Sequence, residues 1–227
     1  MTKSESVAAS SHTEGNSLKP SQRFANLREG GDALAGQLET LGLAADVVLG
    51  IALGGLPVAR EVATRLDKPL DFVLIRRLFL PEGHDSQVCA VNVAGSLVLD
   101  EGINPVTEPS TPIEYFTFDA IAELDRREKL CRRGRPPLTV KDRDMILVDC
   151  GIRTGSTMKA AVKAVRKLNA KRIIAAVPVS SREGYAAIAP LCDELICLAQ
   201  PEQFINAGYW YRDFRRPGDD QVGELLQ

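Results

Sequence analysis

Apolar and polar positions along the chain fall into runs of two kinds, and these runs repeat in a fixed order. Residues 22–41 follow a helical period, with Phe24, Leu27, Leu34 and Leu38 on one broad face. Val47-Val48-Leu49-Gly50-Ile51-Ala52 is then a short β-branched run of the sort that forms a strand buried on both faces. Pro57 to Leu66 reads as a helix with proline in its first turn. Asp71 to Ile75 reads as the next strand. Strand, short loop, helix and strand make a βαβ unit and hence a sheet that is at least partly parallel. The order resumes after residue 118: a helix over Ala120–Arg133, a strand at Met145–Val148 and a helix over Ser156–Leu168. A strand at Ile173–Val177, a helix over Arg182–Ala189 and a strand at Leu195–Leu198 complete it. The fold predicted is a doubly wound, mainly parallel α/β sheet in one domain over residues 21–227. Between Phe79 and Phe118, Gly, Pro, Asn and Thr are frequent and strand-like pieces such as Ser96–Leu99 are short. That stretch is expected to be an antiparallel flap inserted into the α/β core.

Composition narrows the functional classes. The 227 residues carry 28 Lys and Arg against 30 Asp and Glu, a balance that argues against a general nucleic-acid coat or a membrane-surface binder. The longest apolar stretch, Val47–Ala59, is too short to span a bilayer. The first twenty residues are rich in Ser and Thr, hold no Arg, and are interrupted by Glu5 and Glu14; they read as a disordered tail, neither a secretory signal nor a transit peptide. Cys89, Cys131, Cys150, Cys192 and Cys197 form no CxxC pair, and His12 and His84 are the only histidines, so a structural zinc site is not expected. A reduced, cytoplasmic setting fits this usage.

The chemistry concentrates at strand ends, where open parallel sheets bind ligands. Val148-Asp149-Cys150-Gly151-Ile152-Arg153-Thr154-Gly155-Ser156-Thr157 closes a buried strand with an acid, turns on glycines and opens a helix with hydroxyls. Free N–H groups and the helix dipole favour phosphate there. Thr154, Ser156 and Thr157 add donors, and Asp149 is placed to accept from sugar hydroxyls. Helix capping alone is the plainer use of these hydroxyls. The P-loop pattern is absent because no Lys precedes the hydroxyl, and Gly50-Ile51-Ala52-Leu53-Gly54-Gly55 lacks dinucleotide spacing.

The segment "MILVDCGIRTGSTM" (Met145–Met158) resembles the phosphoribosyl pyrophosphate (PRPP) signature of type I phosphoribosyltransferases. The resemblance extends over most of residues 22–227, through "VVLGIALGGLPVAREVATRL", "VLIRRL", "IIAAVPVS" and "PEQFINAGYWYRDF". It is nearest to a bacterial group whose acceptor substrate is unassigned. The resemblance implies that Ile152, Arg153, Thr154, Gly155, Ser156 and Thr157 hold the 5-phosphate and that Asp149 meets the ribose hydroxyls. It implies a pyrophosphate loop at Ala52, Leu53, Gly54 and Gly55, with Arg76 adding charge. Asp149, Cys150 and Arg77 would stand at the reacting centre. Magnesium would arrive with PRPP, with no metal held by protein side chains alone. The partners implied are PRPP and a small acceptor, without membrane or nucleic acid, in a chain that relatives suggest is a homodimer.

This chain departs from the resemblance at several of those places. Cys150 stands where a second acid is usual, Leu53 where Arg is frequent and Arg77 where Lys is frequent. Asn26 and Leu27 replace an expected Asp and Arg. Two functions therefore stay open: a PRPP-dependent transferase, and a module that binds PRPP or a nucleotide without turnover. Hydrolysis or phosphoryl transfer has no dedicated nucleophile or metal cluster behind it. Cys150, beside a helix start and Arg153, reads either as a low-pKa, oxidation-sensitive thiol or, more plainly, as a small side chain that has drifted into the second acid's place. The basic run at residues 126–135 reads as a solvated helix end or an RNA-attracting patch. The aromatics Phe204, Tyr209, Trp210, Tyr211 and Phe214 read as core packing or as a stacking surface for an acceptor.

Overall fold

The computed structural model of the chain describes residues 23–78, 88–93, 95–99 and 111–227. The expected tail, His84 and the flap positions 79–87 and 100–110 lie outside the described residues. The first half contains β1 (Phe24–Asn26), α1 (Leu27–Thr40), β2 (Val47–Ile51), α2 (Ala52–Leu66), β3 (Leu70–Leu78), β4 (Val88–Val93) and β5 (Ser96–Leu99). There follow α3 (Pro112–Arg132), β6 (Asp144–Val148), α4 (Ser156–Lys167), β7 (Arg172–Val179) and α5 (Arg182–Ile188). The chain closes with β8 (Glu194–Ala199), β9 (Tyr211–Asp213) and α6 (Asp219–Leu225).

The main sheet has the order β5-β4-β3-β2-β6-β7-β8, in which β3, β2, β6, β7 and β8 are parallel. This is the doubly wound α/β architecture predicted. Alternation along β2 explains why both faces must be covered: Val47, Leu49 and Ile51 point into one core, Val48 into the other. The first core is filled from α4 by Met158, Ala161 and Val165. The second is filled from α1 and α2 by Leu34, Leu38, Val58 and Val62. A third cluster joins Phe72 and Leu74 of β3 to Leu124 of α3 and Val222 of α6.

Four boundaries differ from the sequence reading. β4 and β5 are antiparallel, as expected of the flap, but β4 pairs with β3, so both extend the main sheet. Helix α3 begins at Pro112, eight residues before the predicted start; Thr111 and Glu114 form a reciprocal capping box around that proline. Helix α2 begins at Ala52, so Pro57 sits inside it and removes the N–H that would pair with the Leu53 carbonyl. Phe24 belongs not to the first helix but to β1, which pairs in parallel with β9.

Candidate functional site

The sheet reverses its winding between β2 and β6, the neighbouring strands from which the chain proceeds in opposite directions. Ligands of open α/β sheets bind in the crevice at such a switch point. Here β2 runs straight into α2, and β6 runs into the 149–155 loop that leads to α4.

The two connections touch. A Cβ on Gly55 would lie 2.6 Å from the Val148 carbonyl oxygen and 2.9 Å from Asp149 Cα. A Cβ on Gly54 would lie 3.1 Å from Cys150 Sγ. Glycine at these positions therefore serves close approach of α2 to the end of β6. Ala52 to Gly55, expected as a loop, forms the first turn of α2 instead. Its backbone N–H groups have no partner within the helix, no side chain caps it, and no acid lies in that turn.

The second connection is built to leave donors open. Gly155 adopts φ +81°, a left-handed conformation suited to glycine, and no side chain caps α4. Asp149 and residues 151–158 line a cavity of about 120 Å³ at this helix start. Thr154 and Arg153 are exposed, and the Thr154 and Ser156 hydroxyls lie 3.3 Å apart. Ile152 is buried, so its side chain belongs to the core, while its backbone pairs with Ser180. The loop is held from behind: Ser181 donates its N–H to the Ile152 carbonyl and its hydroxyl to the Arg153 carbonyl. Gly184 then lets α5 pack onto that backbone, since a Cβ there would meet the Arg153 oxygen at 2.5 Å.

Asp149 and Cys150 stand between these helix starts. The Cys150 N–H donates to Asp149 Oδ1 at 2.7 Å, and the Tyr211 hydroxyl donates to the Cys150 carbonyl at 2.6 Å. Burial, and after it the Asp149 carboxylate, push the Cys150 thiol well above its ordinary value of 9.0. Of the two readings of Cys150, this direction favours the plain small side chain over the low-pKa thiol: desolvation outweighs the positive charge that Arg216 contributes. Burial likewise pushes the Tyr211 hydroxyl up.

Arg76 and Arg77 lie near the end of β3, the strand beside β2. Arg76 is exposed, on the face of β3 that carries Phe72 and Leu74, and lies within electrostatic reach of Glu123 on α3. Leu53 packs at the edge of the core on that same side. Arg77 is opposite Cys89 in the β3–β4 register, and its side chain lies outside the described residues. Among the described residues, no group of three His, Cys, Asp or Glu side chains is arranged to hold a metal ion.

Sequence reasoning missed Arg216, whose stem crosses Gly54 with Cδ 3.3 Å from that glycine's Cβ position. No local motif marks it; the pairing of β9 with β1 and the Tyr211 hydroxyl's bond to the Cys150 carbonyl bring the C-terminal segment here. The aromatic cluster resolves towards packing for Trp210 and Tyr211, which are 1% and 3% exposed. The basic run is largely neutralised within the protein. Arg126 pairs with Glu123, Arg127 with Asp219, Lys129 with Asp125, and Arg132 with both Asp71 and Glu128.

The chain is thus an α/β protein with a switch-point crevice flanked by two uncapped helix starts and an acid between them. Residues 22–211 match the family model described as "Phosphoribosyl transferase domain", and the chain belongs to that family. It is 36% identical over 208 residues to Mycobacterium tuberculosis proteins named "Putative phosphoribosyl transferase", from strains CDC 1551 / Oshkosh and ATCC 25618 / H37Rv. That alignment covers 89% of this chain and 46% of each relative, so the chain spans about half the length of these curated relatives. Among solved structures, TT1426 from Thermus thermophilus is 36% identical with a TM-score of 0.73, over 90% of this chain and 97% of that one. No helix among the described residues is long and apolar enough to cross a membrane.

Proposed function

We propose that the crevice binds PRPP with its magnesium ion and transfers the phosphoribosyl group to a small acceptor, releasing pyrophosphate. The observation that carries this reading is the contact of Gly54 and Gly55 with Cys150 and Asp149, which sets two open helix starts around one carboxylate. The α4 start, with Arg153, Thr154, Ser156 and Thr157, takes the 5-phosphate. The first turn of α2 takes the pyrophosphate through backbone N–H groups. In the reaction the bond between the anomeric carbon and the pyrophosphate oxygen breaks, its electron pair leaving with pyrophosphate. An acceptor lone pair forms the new bond at that carbon. Positive charge grows on the ribose ring, where Asp149 stabilises it, and negative charge grows at the α2 start. Magnesium, as part of the substrate, offsets charge on the leaving group.

A second reading is favoured by one observation: the Cys150 thiol is buried and held neutral where a second carboxylate is usual. Loss of one preorganised charge costs about 2–4 kcal/mol in a transition state. A protein that binds PRPP and turns it over slowly, or not at all, follows from that.

Titration calorimetry with PRPP, with and without magnesium, tests the first claim. Ribose 5-phosphate and pyrophosphate are the separate arms, and a pyrophosphate-release screen of nucleobases and other small acceptors follows. Magnesium-enhanced binding near −8 kcal/mol, a Kd of about 1 μM, supports the site. Absence of binding by any of the three overturns it. A large gain in pyrophosphate release by Cys150→Asp favours the second reading of the natural protein.

A further inference from the structure

The pyrophosphate end of this crevice raises a question of charge. Its backbone donors come from α2, but Leu53, in that turn, is apolar and directed to the third core cluster. That turn offers a leaving group of several negative charges its backbone N–H groups and no cationic side chain of its own. A cation from another segment of the chain lies close to the same turn.

Arg216 follows β9 on a segment fixed at three points. β9 pairs with β1 through Phe24 opposite Tyr211 and Asn26 opposite Asp213. The Tyr211 hydroxyl ties the segment to the Cys150 carbonyl, and Pro217 restricts the backbone immediately after Arg216. The Arg216 stem runs across Gly54, with Cγ 3.9 Å and Cδ 3.3 Å from that glycine's Cβ position. A side chain at 54 would displace it. Its guanidinium lies 5.8 Å from the Phe214 ring centroid and is close enough to Cys150 to act on the thiol electrostatically.

Among the described residues the guanidinium is also without an anionic partner. The nearest carboxylate in sequence, Asp213, is taken by Arg215, which grips it with Nε at 2.9 Å and with Nη2 at 2.5 Å. Arg216 forms no ion pair among the described residues. It is exposed and borders an open groove of about 950 Å³. An arginine laid over a glycine, held by a paired strand and left without a carboxylate, is preorganised for a ligand anion at the uncapped start of α2.

We infer that Arg216 is a pyrophosphate-binding residue of this protein, supplying from the C-terminal segment the cation that the first turn of α2 lacks. The inference rests on the PRPP reading above. Because the Arg216 stem lies over Gly54 in the first turn of α2 and Arg216 does not line the cavity at the α4 start, it acts on PRPP and pyrophosphate and leaves ribose 5-phosphate binding unchanged.

The test is calorimetry of parent, Arg216→Met, Arg216→Lys and Arg215→Ala proteins with PRPP–magnesium, pyrophosphate–magnesium and ribose 5-phosphate. Methionine keeps the stem over Gly54 and removes the charge, and the melting temperature of each variant verifies folding. Arg216→Met is expected to raise the Kd for pyrophosphate and PRPP at least tenfold with ribose 5-phosphate unchanged. Arg216→Lys is expected to recover part of the loss, and Arg215→Ala to bind as the parent does. Parental binding of pyrophosphate by Arg216→Met overturns the inference alone, as does an equal loss in Arg215→Ala, which would mean diffuse charge. A parent protein that binds none of the three compounds overturns the PRPP reading and the inference together.

Discussion

Gly55→Ala adds one methyl group at the point where the two halves of the crevice meet. The new carbon would lie 2.6 Å from the Val148 oxygen, 2.9 Å from Asp149 Cα and 3.2 Å from Asp149 Oδ1. Two of these atoms belong to the backbone at the end of a buried strand, so no rotamer change relieves the overlap. Nor can α2 move outward freely. On its far side α1 is equally close, since a Cβ on Gly31 would meet the Val58 oxygen at 2.7 Å. Forcing an extra methyl into a packed site costs about 1–3 kcal/mol. Replacing a helical glycine returns about 1 kcal/mol at most, and less in a first turn.

The expected net loss is therefore about 1–2 kcal/mol, a fall in Tm of about 2–8 °C at the 2–4 °C per kcal/mol usual for this chain length. Gly36→Ala is the matched control. Its methyl would meet only the mobile end of Arg65, 3.4 Å away, and a gain of about 0.5–1 kcal/mol is expected. Scanning calorimetry of both variants beside the parent measures the contrast. A Gly55→Ala protein that melts at or above the parent temperature would refute the claim that α2 is confined between α1 and β6.

Trp210→Ala should destabilise the protein by about 3–5 kcal/mol, because the ring is almost wholly buried in the α1/α2 core. Urea unfolding measures this, and unchanged stability with loss of acceptor affinity alone would restore the stacking role. Cys150 should react slowly with a thiol reagent at pH 8 in a Cys89→Ser background, and at the rate of a free thiol once the chain is unfolded; fast labelling of the native protein would contradict its burial. The same shifts set a pH dependence. Burial raises Cys131 and Cys192 to about 11, Cys197 to about 12 and Cys150 well above 9.0. Above pH 9 the unfolded chain loses these protons while the native state keeps them. Stability should then fall from pH 9 towards 12, as chemical denaturation at graded pH would show; a flat profile over that window would contradict it.

The parallel strands were legible because each holds a short continuous apolar run, which demands burial on two faces. The loop between β6 and α4 was legible as a candidate site because its glycines, hydroxyls and acid are contiguous. Helix α2 began earlier than expected because Gly54-Gly55 followed by Pro57 looks like a turn. Those glycines answer instead to contacts with Cys150 and Asp149, residues almost a hundred positions away. The start of α3 did carry a local signal, in Thr111, Pro112 and Glu114. β1 and β9 carried none, since three-residue strands that pair across the whole chain leave no periodicity. Arg132 was read as part of a solvated helix end. It is 7% exposed, lies over Phe72 and links Asp71 to Glu128, partners that only folding brings within reach.

The distribution of those errors has a physical origin. Every missed feature near the crevice belongs to contacts made by α2 or by the C-terminal segment, and the two elements are bound to each other. Arg60 of α2 donates to the Glu224 and Leu225 carbonyls at the end of α6, while Arg127 of α3 holds Asp219 at its beginning. The Tyr211 hydroxyl reaches the Cys150 carbonyl, and Arg216 lies over Gly54. The α4 side of the crevice is one strand, one loop and one helix start, encoded locally. The opposite side is assembled from the start of α2, the end of β6 and a segment that returns from the far end of the chain. A local change can therefore remodel the second side while the first keeps its motif. Leu53 and Cys150 lie on that second side, and so does the arginine that crosses Gly54.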